Sequence, residues 1–409
     1  MNRRVLMLTA AWPPVGRVGA RRPLRLARRH PPRRRPLPRR PRAAPPPHDD
    51  TLIEPPVEVH RVGRFIPSTR LHRALGHLPA ARLTRRVLAD LLLPDQHPEW
   101  LPAAARAARR IHRQRPIDLI WATGGPFGVF VVAAALAALL DRPLVLDYRD
   151  PWTTAAPPRR SPLAPPPALL RALEARLLAR AAGVAAVYDD ILTANRAAFG
   201  QPQGRPWRLI PNGFDPLDLA GDPRPLARPT LLYAGACYGP RSMRPVLEAL
   251  DTFGPGDRGL HLQIFGELDP AARAHLDAHP LPGRVDLAPR LPARALAGWL
   301  KGAAALLLLV GDTHDGAVTG KVFDYLAAGR PILGHGPPDC AAAALIARCG
   351  VGEWTTTPAE LTAALRRVEA GATPYAPVDA EIARYSADAM ADATAALLDD
   401  VHATHGRAP

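Results

Sequence analysis

Ala304-Ala305-Leu306-Leu307-Leu308-Leu309-Val310 is an unbroken apolar run, followed by the polar loop Gly311 to Gly320 and then by Lys321-Val322-Phe323-Asp324-Tyr325-Leu326-Ala327-Ala328. After Gly329-Arg330 comes a second, shorter apolar stretch, Pro331-Ile332-Leu333-Gly334. Apolar runs without polar alternation fit strands covered on both faces, as in a parallel sheet, and the intervening segment has the length of a helix. Strand, helix, strand is the unit of an α/β fold.

The same alternation extends in both directions. Towards the amino terminus lie the expected helix Ala293 to Gly302, strand Val285 to Leu287, helix 271 to 278, strand His261 to Phe265 ending at Gly266, helix 243 to 251, and strand Thr230 to Ala234. That last strand leads into Gly235-Ala236-Cys237-Tyr238-Gly239-Pro240-Arg241. Ala387 to Val401 reads as a terminal helix. Before this series, Leu209-Ile210 is stopped by Pro211-Asn212-Gly213, a hinge-like turn. An earlier α/β series precedes the turn: strand Val5 to Thr9, a Gly-containing loop, helical residues around Pro23 to Arg29, helix Pro102 to Arg115, strand Ile117 to Ala122, helix 128 to 140, strand Leu144 to Asp147, helix Ala168 to Ala182 and strand Val184 to Val187. Alternation also returns at Val57-Glu58-Val59-His60-Arg61-Val62. Two such series predict two doubly wound, Rossmann-like domains facing each other across a cleft, with ligands at the carboxyl ends of the strands. The expected boundaries are 1–212 and 213–385, with a helix over 386–403 packing back on the first domain.

Composition narrows the function. The chain has 409 residues, 47% of them apolar, which suffices for two cores. Its net charge is +16, yet residues 1 to 42 hold 14 Arg and no acid, leaving the rest nearly neutral. Of 53 basic residues only Lys301 and Lys321 are Lys. So one-sided a choice reflects composition bias, and Arg density alone is no sign of binding chemistry. From His30 to His48 the chain is almost entirely Pro, Arg and Ala, where a doubly wound domain would place its second buried strand; the segment reads either as an insertion or as an altered reading frame. Cys237, Cys340 and Cys349 lack metal-ligand spacing, and a reducing cytoplasm is the expected setting. The longest apolar run, Gly128 to Leu140, is too short to span a bilayer.

Several loops resemble GT-B glycosyltransferases of family 4, the group 1 type. The similar segments are Trp12-Pro13-Pro14-Val15-Gly16-Arg17-Val18-Gly19-Ala20-Arg21-Arg22-Pro23, Leu146-Asp147-Tyr148-Arg149-Asp150-Pro151-Trp152, Ile210-Pro211-Asn212-Gly213-Phe214-Asp215, Tyr233-Ala234-Gly235, and Thr319 through Leu333. The resemblance implies a retaining, metal-independent transfer of sugar from a nucleoside diphosphate sugar to a glycan or lipid-linked acceptor, in envelope or exopolysaccharide synthesis. No metal and no cofactor are expected. It further implies that Asp324 binds the donor ribose, where the family usually has Glu, since a carboxylate can accept from two vicinal hydroxyls. Gly320 and Lys321 would meet the diphosphate at a helix start, joined by Gly235 and Arg241, which lies six positions after that glycine. The family's Arg after this glycine is Ala236 here. Gly16 and Gly19 would bring the first domain's backbone to the donor. Arg149 and Asp150 stand where many members carry a His-Asp pair near the transferred sugar. A second family acid, eight residues before Asp324, falls on Gly316, leaving Asp315 or Asp312 as substitutes.

Each position also has an ordinary structural reading. Asp324 complements a helix dipole, Lys321 begins a helix, Arg241 is a solvated surface charge, Gly16 and Gly19 make a strand-to-helix turn, and Asp150 caps a turn before Pro151. Two other functions stay open: a basic membrane-surface or nucleic-acid binding protein on a transferase-like scaffold, and a nucleotide-sugar epimerase or hydrolase. The basic amino-terminal segment suits peripheral contact with anionic lipid at the inner face of the membrane. Nucleic acid is not an expected partner, because Trp12 alone offers a stacking ring there. No Asp-x-Asp, H-E-x-x-H, G-x-S-x-G or G-x-x-x-x-G-K-[ST] pattern is present.

Overall fold

A computed structural model describes residues 4–12, 18–29, 57–62, 94–95, 100–155, 165–237, 239–253, 259–311 and 319–405. They fall into two compact units, one of the residues up to Pro211 together with those from Met390 on, the other of Asn212–Ala389.

The first unit is built on a parallel sheet in the order β1 (Val5–Leu8), β2 (Leu119–Gly124), β3 (Leu144–Tyr148), β4 (Gly183–Ala186) and β5 (Trp207–Leu209). Every residue of β2, β3 and β4 is buried, as strands covered on both faces must be. Helix α1 (Val18–Arg29) follows β1, and α2 (Leu101–Gln114) precedes β2. Next, α3 (Gly128–Leu140) is apolar almost all round because it is enclosed, burying Val129, Phe130, Val132, Ala133 and Leu136. Helices α4 (Pro167–Arg180) and α5 (Asp189–Phe199) complete the layer. The strand order runs one way only. Among the described residues β1 is an edge, and Val57 to Val62 joins no strand; the segment from His30 to His48 lies outside the described residues.

One ion pair ties this unit together. Arg22 of α1, 3% exposed, meets the fully buried Asp147 of β3 through Nε (2.9 Å) and Nη2 (2.8 Å), and its Nη1 donates to the Pro211 carbonyl at 3.2 Å. The planar fork of an arginine matches a carboxylate in this bidentate way. On the sheet face near Trp121, Val145 and Ile210 lie Met390, Leu397 and Val401 of the last helix. Close approach of that helix requires Gly183, since a Cβ there would sit 2.7 Å from Val401.

The second unit carries a six-stranded parallel sheet in the order β11-β10-β9-β6-β7-β8. Its elements in chain order are β6 (Thr230–Ala234), α6 (Arg244–Asp251), β7 (His261–Phe265), α7 (Pro270–Ala278), β8 (Val285–Ala288), α8 (Ala293–Gly302), β9 (Ala305–Leu309), α9 (Gly320–Ala328), β10 (Ile332–His335), α10 (Ala341–Cys349), β11 (Gly352–Thr355), α11 (Pro358–Glu369) and α12 (Asp379–Ala383); the last helix, α13 (Ala387–His405), belongs from Met390 on to the first unit. The chain winds outward from β6 to β8, then returns to β9 beside β6 and winds the other way. That reversal is a topological switch point, the place where open parallel sheets leave a crevice at the strands' carboxyl ends. The helix and strand over 341–355 have no counterpart in the sequence reading. Trp354 of β11 packs where Gly334 of β10 has no side chain, a pairing that only tertiary contact makes visible.

Arg22→Met leaves Asp147 buried without its cation and is expected to cost about 3–5 kcal/mol. Guanidinium denaturation of the first unit measures it, and adding Asp147→Leu should recover most of the loss.

Candidate active site

The switch point of the second unit brings together residues far apart in sequence. Strand β6 ends at Tyr233 and Ala234 and turns at Gly235, whose φ of +126° suits glycine. A Cβ on Gly235 would lie 2.6 Å from Lys321 Cε, so the lysine stem occupies the space that a side chain would fill. Gly266 packs its Cα against the Gly235 carbonyl, while Gly235 N–H donates to Phe265 O at 2.8 Å. Lys321 stands in the first turn of α9, and its Nζ donates to Tyr233 Oη at 2.7 Å. The phenol in turn donates to Ala236 O at 3.2 Å and accepts from the Cys237 thiol at 3.4 Å.

The electrostatics of this cluster are one-sided. Burial pushes the Lys321 amine down to about 8; the Cys237 thiolate would oppose that shift, and Arg241 and Arg290 add to it. Burial likewise drives the Tyr233 phenol and the Cys237 thiol up. Asp269 fixes the loop that carries Arg241: it accepts from Ser242 Oγ and Met243 N–H, both at 3.0 Å, and from Ala272 N–H at 3.1 Å. Burial works against its charge, yet these bonds outweigh it and hold the carboxyl below its ordinary range. Thr319, the residue before α9, makes no side-chain cap bond, and its hydroxyl is buried without a partner. The first amides of α9 are therefore not taken by their own cap. Asp324 follows one turn after Lys321 and is half-buried.

In the first unit, Arg149 lies just beyond β3. Its Nε donates to Gly124 O and its Nη1 to Gly19 O, each at 2.7 Å, and Nη2 reaches Gly125 O. One guanidinium thus joins the end of β2 to the start of α1, and a Cβ on Gly19 would meet it at 2.5 Å. Burial lowers the Arg149 pKa from its usual value, against the pull of Asp147 and Asp150. Exposed Asp150 follows, then Trp152, stacked on Phe127 at 4.8 Å. Beneath this loop Glu174 of α4 is fully buried and accepts from both the amide (3.0 Å) and the hydroxyl of Thr153. Burial raises its pKa in spite of those bonds.

The family model described as Glycosyltransferase Family 4 matches residues 5–216, just over half of the 409. The chain belongs to glycosyltransferase family 4. Solved structures agree on the GT-B fold of this glycosyltransferase. Sucrose-phosphate synthase of Thermosynechococcus elongatus is similar with a TM-score of 0.53 and 16% identity, over 75% of this chain and 79% of that one. HepE of Anabaena, solved with UDP and glucose, gives 0.53 and 16% over 73% and 81%. A glycosyltransferase of Rickettsia africae gives 0.55 and 9% over 74% and 81%. At such identities the likeness concerns the fold alone. No curated protein matches the sequence.

Within the transferase, Gly235, Gly320, Lys321 and Asp324 lie at one switch point, and Arg241 adds its field to it. Gly19 and Arg149 touch, with Asp150 next in sequence. Gly16, Arg17, Asp312, Asp315 and Gly316 lie outside the described residues. Among the described residues no cluster of His, Cys, Asp and Glu could hold a metal ion, and no helix is long and apolar enough to cross a membrane. Sequence reasoning missed Tyr233, Cys237, Glu174 and the Arg22–Asp147 pair. A signal existed for two of them: Asp147 and Glu174 are acids inside otherwise buried stretches, where a charge needs a partner.

Gly235→Ala should strain a φ of +126° and displace the Lys321 stem. The expected cost is about 1–3 kcal/mol by thermal melting, together with a loss of nucleoside diphosphate affinity larger than for Gly239→Ala, where no atom lies near.

Proposed function

We propose that this glycosyltransferase moves a sugar from a nucleoside diphosphate sugar, with retention and without a metal ion, to a glycan or lipid-linked acceptor in envelope or exopolysaccharide synthesis. The observation that carries the donor reading is the half-buried Lys321 amine at the switch point, beside Arg241 and the start of α9 and with no carboxylate in ion-pair contact among the described residues. Such a group favours an anion. The diphosphate of a nucleotide donor supplies one, and cations with helix amides stabilise it most as the sugar departs and negative charge builds on the leaving phosphate. Asp324, one turn along the same helix, would take the ribose hydroxyls. The fold shared with HepE, which was solved with UDP, favours UDP as the donor nucleotide.

In the first unit Arg149 would act by position, since its donors already serve three backbone carbonyls. Asp150 would then orient the sugar or acceptor from a fixed loop. A lipid-linked acceptor would place the enzyme at the inner face of the membrane. Helix α2 supports that contact: Arg106, Arg109, Arg110 and Arg113 are exposed at helical spacing, while Ala104 and Ala108 are buried on the other side.

Lys321→Ala should weaken UDP binding about tenfold or more by removing a charge-assisted contact worth about 1.5–3 kcal/mol, while sparing uridine. Asp324→Asn should weaken UDP and uridine alike. Calorimetric titration of both variants with both ligands tests this. Equal losses for both ligands in the Lys321 variant, or no loss in either protein, would overturn the donor site.

A further inference from the structure

The cations Arg22, Arg149 and Lys321 differ in how the fold answers their charge. Arg22 has a carboxylate and Arg149 has three carbonyls. Lys321 has a phenol. Its Nζ lies 2.7 Å from Tyr233 Oη and 4.0 Å from the centre of the same ring. The hydroxyl has no capacity left: it donates once, to Ala236 O, and accepts twice, from Lys321 and from Cys237. The two backbone ends of this arrangement are the Gly235-Ala236-Cys237 turn and the first turn of α9, the same two turns assigned above to the diphosphate.

We propose, resting on that donor-site reading, that Tyr233 is a positioning residue of the donor site: its hydroxyl docks the Lys321 amine over the Gly235 turn, so that an arriving nucleoside diphosphate meets a cation already aimed. The flexible four-carbon stem of a lysine would otherwise sample many rotamers, and holding it beforehand removes that ordering cost from binding. Charged and titratable groups face the amine from each packed element. Cys237 and Arg241 come from the loop after β6 and Arg290 from the segment after β8. Of these, Cys237 would raise the amine's pKa only as a thiolate, and burial favours its protonated form.

The position of the amine has a pH signature. Burial pushes it down to about 8, from the ordinary value of about 10.4, and bound diphosphate would favour its charged form. Between those values the complex holds more protons than the free enzyme, so affinity falls as pH rises. From pH 7.5 to 9.0 the wild-type affinity for UDP, corrected by that for uridine, should drop about eightfold, whereas a solvated lysine would leave it flat.

The test is calorimetry on the full chain with UDP and uridine at pH 7.5, 8.25 and 9.0, in two buffers of different ionisation enthalpy, for wild type, Tyr233→Phe and Lys321→Ala. The expected result is proton uptake by wild type, a three- to tenfold weaker UDP affinity in Tyr233→Phe with uridine unchanged, and a fall with pH displaced towards the range of a solvated lysine. Wild-type binding that depends on Lys321 while Tyr233→Phe matches wild type at every pH would overturn the docking role and leave the donor site standing. UDP binding that is absent, or indifferent to Lys321→Ala, would overturn both. Should Tyr233→Phe fail to fold, Tyr233→Met, which also lacks the hydroxyl, takes its place with the same outcomes.

Discussion

A parallel strand can reach its neighbour only by a connection that crosses the sheet, so every strand of a parallel sheet ends at the same edge. That constraint places the chemistry of this chain. The turn after β6 and the helix after β9 are separated by much of the second unit, yet the reversal of winding sets β6 beside β9. Lys321 and Tyr233, 88 positions apart, become neighbours as a result. The glycines follow from the same geometry. Where two such ends converge there is no room for side chains, and Gly235 and Gly266 are the residues that let the turns touch.

The treatment of positive charge separates structural from chemical roles. A buried guanidinium and a buried carboxylate can cancel, and Arg22 with Asp147 does so inside the first sheet. A guanidinium can also spread over several carbonyls, as Arg149 does, because its donors point in fixed and different directions. Arg22 and Arg149 are thus answered within the fold. A lysine is a compact charge with no such fan of donors, and among the described residues the hydrogen-bond partner of Lys321 is a neutral phenol. Partial burial of its charge is a cost that an anionic ligand would offset.

Much of the fold was legible because the strands are buried on both faces. The run Ala304 to Val310 reads as a covered parallel strand, and it lies within a residue of the observed β9, as His261 to Phe265 coincides with β7. Legibility failed where partners decide the structure. Gly352-Glu353-Trp354-Thr355 has no apolar run; it is a strand because its backbone pairs with β10 and its Trp354 fills the space above Gly334. Val57 to Val62 alternates like a strand but joins no sheet among the described residues. At the site, sequence alone could mark Lys321, rare among arginines, and Gly235. It could not mark Tyr233, whose role exists only through a contact across the sheet edge.

The composition of the chain sharpens the meaning of that one lysine. Where 51 of 53 cations are Arg, the forces on the coding sequence favour guanidinium at any position that merely needs charge. The bay between Tyr233 and Gly235 does not admit one readily. The lysine stem already lies within 2.6 Å of the position a Cβ on Gly235 would take. A planar fork there would need several acceptors, and the phenol offers a single oxygen whose other contacts are taken. The residue that fits is one with a slender stem and a point charge. Shape and hydrogen-bonding capacity at the switch point therefore favour lysine at 321 against the bias of the rest of the chain.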